Sequence, residues 1–285
     1  MTQTIAAGPD AGKAENGLVK RAGFVLSLIG LVVLALWLAP ALAFNLGVVT
    51  VTVLALREFY LLDDGGSRSR ITRTVALAGG ALLTLQMTFS PAVPLGITIP
   101  FLVILVFSVA VAKTVRPTIE ELHDLLFVIF GVLYVAAMFG QLILIRSGGN
   151  GRAFTALVIL TVLAREVGAA AGGLLIPSSK LLNKHINPKK SYTGAAIGTT
   201  AAIGTAVLLC HYLKLDFSLT RSSSFGFCLA VACQFGDLAE SYMKRAVGRR
   251  HSGSLLGPEG GLLDFLDAAA FAIVTARLLL YIWGP

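Results

Sequence analysis

Nine apolar runs lie almost end to end along this chain, at 22–39, 41–57, 71–88, 91–112, 125–145, 153–176, 194–213, 223–244 and 262–283, with short charged or Gly/Pro-containing breaks between them. Crossing the hydrocarbon of a bilayer takes about 20 mostly apolar residues in a helix, because a helix satisfies its own backbone hydrogen bonds where no water can. The pattern predicts an all-α polytopic integral membrane protein of about nine transmembrane helices. Composition agrees: 56% of the residues are apolar and only 13% charged, where a soluble domain carries roughly 25% charged residues. A soluble enzyme, a disordered tail and a fibrous protein are thereby excluded. Residues 1–17 are polar and aperiodic and read as a disordered cytoplasmic lead to a single transmembrane domain at 18–285. A cleaved signal peptide is the competing expectation, since Lys20-Arg21, an apolar run and Ala41-Leu42-Ala43 imitate a cleavage site.

Charge sets the expected orientation. With the N-terminus inside, the inward segments hold Lys13, Lys20, Arg21, then Arg57, Arg68, Arg70, Arg73, then Lys113 and Arg116, then Lys180, Lys184, Lys189, Lys190, and last Lys244, Arg245, Arg249 and Arg250. Outward segments hold only Arg146, Arg152, Lys214 and Arg221, so the positive-inside rule places the N-terminus in the cytoplasm. The net charge of +8 then belongs to basic cytoplasmic loops and anionic lipid, and no nucleic-acid partner is expected. Cys210, Cys228 and Cys233 lie in apolar stretches without metal spacing and carry no expected chemistry.

Ionisable side chains at membrane depth are costly and point to function. Glu166 lies in the sixth run beside Arg165; Asp237, Glu240, Ser241 and Lys244 lie in the eighth; Asp264 and Asp267 open the ninth. The spacing i, i+3, i+4, i+7 from Asp237 puts four of them on one helical face, and Asp264 shares a face with Asp267. Two inward loops flank them: Lys180 to Ser191, and Lys244 to Gly261 with Gly253, Gly257, Gly260 and Gly261. Such a set suits phosphoryl chemistry. Carboxylates hold a divalent cation, the cation and the Lys/Arg side chains neutralise phosphate oxygens, and glycines let backbone N–H groups approach. Blander readings exist: inward basic loops suit any membrane protein, Glu240 and Lys244 fit a structural ion pair, and Gly168-x-x-x-Gly172 and Gly194-x-x-x-Gly198 fit close helix packing. Convergence of acidic residues at two adjacent helix ends around a basic, glycine-rich loop favours an anionic-substrate site.

At these residues the chain resembles a known family. Ser241-x-x-Lys244-Arg245-x4-Arg250-His251-x-Gly253-x2-Leu256-Gly257-x-Glu259-Gly260-Gly261-x2-Asp264-Phe265-x-Asp267 is similar to the signature of the phosphatidate cytidylyltransferases, or CDP-diacylglycerol synthases, S-x-x-K-R-x4-K-D-x-G-x2-[LI]-P-x-H-G-G-x2-D-R-x-D. Gly236-Asp237-Leu238 resembles the family's G-D-L, Asn187-Pro188-Lys189-Lys190-Ser191 its S-P-K-K-T loop, and Ala55-Leu56-Arg57-Glu58-Phe59-Tyr60 and Gly131-Val-Leu-Tyr134 are similar too. Departures fall at Arg250-His251 for K-D, Glu259 for the H of H-G-G, Phe265 for the R of D-R-x-D, and Glu166 for an Asp. Histidine is a poor ligand for Mg²⁺, so Glu259 is expected to carry the charge lost at His251.

The resemblance implies a polytopic fold in the inner, cytoplasmic membrane, with the active site facing the cytoplasm, where phosphatidate and CTP give CDP-diacylglycerol and pyrophosphate for phospholipid biosynthesis. It further implies Asp264, Asp267, Lys244 and Arg245 as catalytic residues and Lys189, Lys190, Ser191, Ser241, Arg250, Gly260 and Gly261 as substrate-binding ones. Mg²⁺ is expected on Asp264 and Asp267, with Asp237, Glu166 and Glu259 as further ligands. A monovalent cation and a homodimer are carried by the resemblance alone. Two other readings stay open. A catalytically silent or repurposed member would bind an anionic lipid or nucleotide without turnover. An ion-coupled transporter would use Glu166 and Asp237, and calls for charges near the midplane and repeated halves.

Overall fold

A computed structural model describes the chain apart from residues 1–29, 31–33, 35, 63–69, 115, 177–180, 184–186, 250, 254, 256–259 and 285. It comprises two compact units, Met1–Pro40 and Ala41–Pro285. In the first, residues 36–38 are helical; the expected lead at 1–17 and most of the run at 22–39 lie outside the described residues. The second unit is a helical bundle: α1 (Ala41–Leu61), α2 (Arg70–Phe89), α3 (Leu95–Lys113), α4 (Ile119–Gly131), a π-helical segment (Val132–Ala137), α5 (Met138–Ser147), α6 (Gly151–Leu175), α7 (Tyr192–Tyr212), α8 (Leu219–Ala246) and α9 (Leu262–Trp283). Between α6 and α7 a small antiparallel hairpin pairs β1 (Leu181–Asn183) with β2 (Asn187–Ser191), Leu181 opposite Ser191 and Asn183 opposite Asn187.

Helix starts follow their caps. The Thr118 hydroxyl accepts the Glu121 N–H at 3.2 Å ahead of α4, Ser191 accepts Gly194 N–H at 3.1 Å ahead of α7, and Ser218 accepts Arg221 N–H at 3.2 Å ahead of α8. Each satisfies a backbone donor that has no partner within its own helix.

Six helical stretches among the described residues are long and apolar enough to span a bilayer: α1, α3, the continuous Ile119–Ser147, α6, α7 and α9. The chain is thus a polytopic, helical membrane protein. Nine such spans were expected from the apolar runs; of the three not among the six, the run at 22–39 lies mostly outside the described residues, and the other two differ for a physical reason. The runs at 71–88 and 223–244 do fold as α2 and α8, but α8 also carries Arg221, Asp237, Glu240, Lys244 and Arg245. Its Ser222, Asp237, Glu240 and Ser241 are buried. A helix that turns its polar groups to other helices does not need an apolar surface all round. On α3, by contrast, Ile97, Phe101, Ile104 and Val111 are exposed, the surface a lipid-facing helix presents.

Helix α6 packs closely on α7. The two small-residue pairs meet: a Cβ on Gly172 would lie 2.9 Å from Gly194 Cα, and one on Gly198 would lie 2.7 Å from the Arg165 carbonyl oxygen and 3.0 Å from Ala169 Cβ. Small residues let two backbones approach where the lipid supplies no hydrophobic drive for association. Gly198→Val is therefore expected to cost about 2–3 kcal/mol through overpacking, read as a lower melting temperature in detergent. Gly204→Ala, on the same helix with nothing within 4 Å, is expected to leave stability unchanged or raise it by up to about 1 kcal/mol. Equal losses in both would remove the close contact as the cause.

Candidate active site

Two ion-paired groups form where α6, β2, α8 and the start of α9 converge. In the first, Asp237 on α8 accepts hydrogen bonds from Arg165 Nη1 at 2.7 Å and Lys190 Nζ at 2.6 Å. Glu166 pairs with the same two cations, Arg165 directly and Lys190 at 3.5 Å. Arg165 is 2% exposed, so its charge is held by these carboxylates and not by water. Although burial works against the Lys190 charge, Glu166 and Asp237 hold its ammonium above the usual lysine range. Two cations thus face two carboxylates. The group borders an open cleft lined by Arg165, Glu166, Ala169, Lys190, Ser191 and Gly194.

The second group is built on Lys244. Its ammonium pairs with Glu240, one turn earlier on α8, and donates to Asp264 Oδ1 at 2.6 Å across the gap to α9. Asp264 stands in the first turn of α9, where a carboxylate complements the unsatisfied N–H groups of the helix start. It accepts the N–H of the N-cap residue Gly261 at 2.8 Å and that of Ser252 at 3.0 Å, and Asp264 N–H donates back to the Ser252 hydroxyl at 3.2 Å. Gly260 adopts φ +108°, a left-handed value, and a Cβ there would meet Asp264 Oδ2 at 2.5 Å; only glycine fits. Asp267 is buried one turn on, with Ala268 N–H donating to its Oδ1 at 2.6 Å. α8 and α9 touch at Gly236, where a Cβ would sit 2.7 Å from the Asp267 carbonyl oxygen, so the two groups adjoin.

Most of the expected residues gather here: Asp237, Glu166 and Lys190 in the first group, and Lys244, Asp264, Asp267, Gly260 and Gly261 in or beside the second. Ser241 accepts a hydrogen bond from the Asn187 side chain at 2.9 Å, tying α8 to the hairpin. Ser191 lines the cleft and also caps α7. Lys189 lies on β2 beside Lys190. Arg245 stands apart: it is exposed and donates forward to the Arg249 carbonyl at 3.4 Å. A helix face explains this, since Arg245 follows Lys244 by a single residue and points about 100° away. Arg250 and Glu259 lie outside the described residues. His251, where the resembled signature has an aspartate, brings Nδ1 to 3.6 Å from Asp264 Oδ2.

Glu240 reads equally well as a structural partner of Lys244 in the sequence, yet it is 0% exposed and shares that lysine with Asp264. Spacing alone gives Glu58 no role. It reaches from α1, 205 residues away, to accept the Leu263 N–H at 2.9 Å, so the α9 N-terminus holds two carboxylates. The A-L-R-E-F-Y hexapeptide was the available signal.

Charge decides what the second group can hold. Glu240 and Asp264 share the Lys244 ammonium, and buried Asp267 has no ion pair with it; this surplus of hard oxygen donors suits a divalent cation. No group of three acidic, histidine or cysteine side chains is poised to hold a metal among the described residues. Mg²⁺ does not demand such a cage, because it binds through one or two carboxylates together with waters and substrate phosphates. The residues present therefore fit Mg²⁺ bound along with a phosphorylated ligand.

An apolar helical bundle that gathers carboxylates, lysines and a glycine-rich loop where α8 ends and α9 begins can hold phosphate groups at a membrane surface. The chain belongs to the cytidylyltransferase family, whose sequence profile matches residues 19–283. Curated relatives include the phosphatidate cytidylyltransferase of Helicobacter pylori, 37% identical over 126 residues, which are 44% of this chain and 46% of that protein. The phosphatidate cytidylyltransferase of Mycobacterium leprae is 34% identical over 170 residues, 58% of this chain and 52% of the relative. Phosphatidate cytidylyltransferase 4, chloroplastic, of Arabidopsis thaliana is 36% identical over 126 residues, 42% of this chain and 32% of the relative. The chain spans about half or less of the length of the curated relatives it matches.

Proposed function

We propose that this chain is a phosphatidate cytidylyltransferase: it joins CTP to phosphatidate, giving CDP-diacylglycerol and pyrophosphate. The observation that carries this reading is the Glu240–Lys244–Asp264 bridge between α8 and α9 beside buried Asp267, in a chain of the cytidylyltransferase family. A phosphatidate phosphate oxygen attacks the α-phosphorus of CTP, the new P–O bond forms, and the bond to the β-phosphate breaks to release pyrophosphate. Lys190 and Lys244 are placed to neutralise phosphoryl oxygens, and the Gly260–Gly261 backbone lets a phosphate come near. Asp264 and Asp267 are the residues that would hold Mg²⁺, with Asp237 next to them; bound there, the ion would offset charge on the phosphates and pyrophosphate. Catalysis of this kind rests on positioning and electrostatics and forms no covalent enzyme intermediate.

The same reading puts nine spans in the inner membrane with the N-terminus in the cytoplasm. The excess of Lys and Arg in the corresponding loops supports that orientation. Phosphatidate then enters from the bilayer and CTP from the cytoplasm, and both meet at the cleft beside Lys190.

The test is product formation by detergent-purified protein from phosphatidate and labelled CTP, with Mg²⁺ and again after chelation. Labelled CDP-diacylglycerol is expected with the metal and background without it. Folded protein that binds CTP but yields no product would replace this reading with that of a silent member.

A further inference from the structure

Tyr134 carries a hydroxyl that the folded chain leaves unused. It sits in the π-helical segment Val132–Ala137, which interrupts the long helix Ile119–Ser147. A π turn widens the helix by one residue, and the poorer geometry persists where it places a side chain that a regular helix would turn elsewhere. Tyr134 and Phe139, five residues apart, are both buried; on an α-helix that spacing points two side chains well apart.

Three rings fix the phenol. Phe130 stacks on it at 5.4 Å and 15°, Phe59 of α1 lies at 5.9 Å, and Phe271 of α9 meets it edge-on at 6.3 Å. Phe271 is one turn beyond Asp267 on α9. The Phe271 contact therefore places the Tyr134 ring against the same helix, one turn from the buried Asp267. Tyr134 is 5% exposed, and its oxygen has no hydrogen-bond partner among the described residues. Buried phenols ordinarily find one. Tyr60, in the same aromatic cluster, donates to the Val128 carbonyl at 2.7 Å, so the packing here is able to satisfy a hydroxyl where stability alone is served.

We propose that Tyr134 is a further substrate-binding residue: its hydroxyl donates to a phosphoryl oxygen of a substrate bound in the carboxylate cluster. The proposal rests on the cytidylyltransferase reading for the identity of the substrates, and on the structure for the site. The nearby cations are engaged with carboxylates: Lys244 with Glu240 and Asp264, and Arg165 and Lys190 with Glu166 and Asp237. A neutral donor held by packing alone reaches a phosphoryl oxygen without first breaking an ion pair. The phosphoryl group is that of CTP or that of phosphatidate.

Tyr134→Phe removes one oxygen and keeps the ring in its aromatic setting. Deleting a buried polar atom that has no partner does not cost stability and can add to it. The expected result is therefore a melting temperature in detergent at or above wild type, together with a kcat/KM lower by 10- to 100-fold. Titrating CTP with Mg²⁺, and separately a short-chain phosphatidate, identifies the bound substrate: the rise in melting temperature that it causes in the wild type shrinks in the variant. These titrations remain readable if the wild type proves to make no CDP-diacylglycerol. In that case the function reading fails, and a shift from either ligand that Tyr134→Phe weakens still supports the hydroxyl as a phosphate-binding group. A variant that matches wild type in kcat/KM and in both ligand shifts overturns the proposal. So does a variant that melts clearly lower, since the hydroxyl then has a structural partner, and so does the lack of any ligand shift in both proteins.

Discussion

Asp264→Asn is expected to lower CDP-diacylglycerol formation by at least 10²–10³-fold, the range seen when one preorganised electrostatic contact is lost from an active site. Asp264 collects Lys244 at 2.6 Å, Gly261 N–H at 2.8 Å and Ser252 N–H at 3.0 Å. An asparagine cannot serve this set. Whichever way its amide turns, an NH₂ group faces a donor, and the charge that pairs with Lys244 is gone. The loop that carries Ser252 and Gly261 then loses its anchor to α9. Released Lys244 stays with Glu240, so no bare ammonium is left buried and the bundle keeps its helices. Stability is expected to fall by about 1–3 kcal/mol, the cost of unsatisfied donors at the helix start. Turnover and melting temperature are measured on the same purified sample. Wild-type rates from folded Asp264→Asn protein would take Asp264 out of the site.

How much of this was legible in the sequence differs by element. Apolar runs marked α1, α3, α4 with α5, α6, α7 and α9, because a lipid-facing helix must be apolar wherever it meets hydrocarbon. The same runs marked α2 and α8 as helices and overstated how far their surfaces resemble those of a lipid-exposed span. Spacing put Asp237, Glu240, Ser241 and Lys244 on one face of α8, and the structure buries three of them together. Periodicity reports which way a side chain points and says nothing of what it meets. Glu240 illustrates this: its pairing with Lys244 follows from the i, i+4 spacing, but the third member, Asp264, comes from another helix. Glu58 and Leu263 lie 205 residues apart, beyond the reach of any local pattern. Arg165 read as a neighbour of Glu166, and its burial against Asp237 emerges only once α6 and α8 are packed. The π-helical segment leaves no trace in composition, so Tyr134 had only the Gly131-Val-Leu-Tyr134 likeness to single it out.

The largest effect on stability is expected from Asp237→Asn. Asp237 is the common acceptor of Arg165 and Lys190, and removing its charge leaves both cations to Glu166, which is partly exposed. Arg165 cannot relax into water, because it is 2% exposed in the middle of α6. Breaking a buried pair from one side costs about 3–5 kcal/mol, mostly for the charge left behind. That origin makes a second substitution informative. Arg165→Leu in the Asp237→Asn background takes away the buried guanidinium left with Glu166 alone, and replacing a buried ion pair by apolar groups is often neutral or stabilising. The double variant is expected to recover most of the lost stability in detergent unfolding, a coupling that a double-mutant cycle measures directly. Activity follows a different course. On the proposed function Asp237 orients Lys190 toward phosphate, so turnover is expected to stay low in the double variant even as stability returns. Additive stability losses would show that Arg165 and Asp237 act independently, and turnover restored along with stability would show that Asp237 serves the fold and not the reaction.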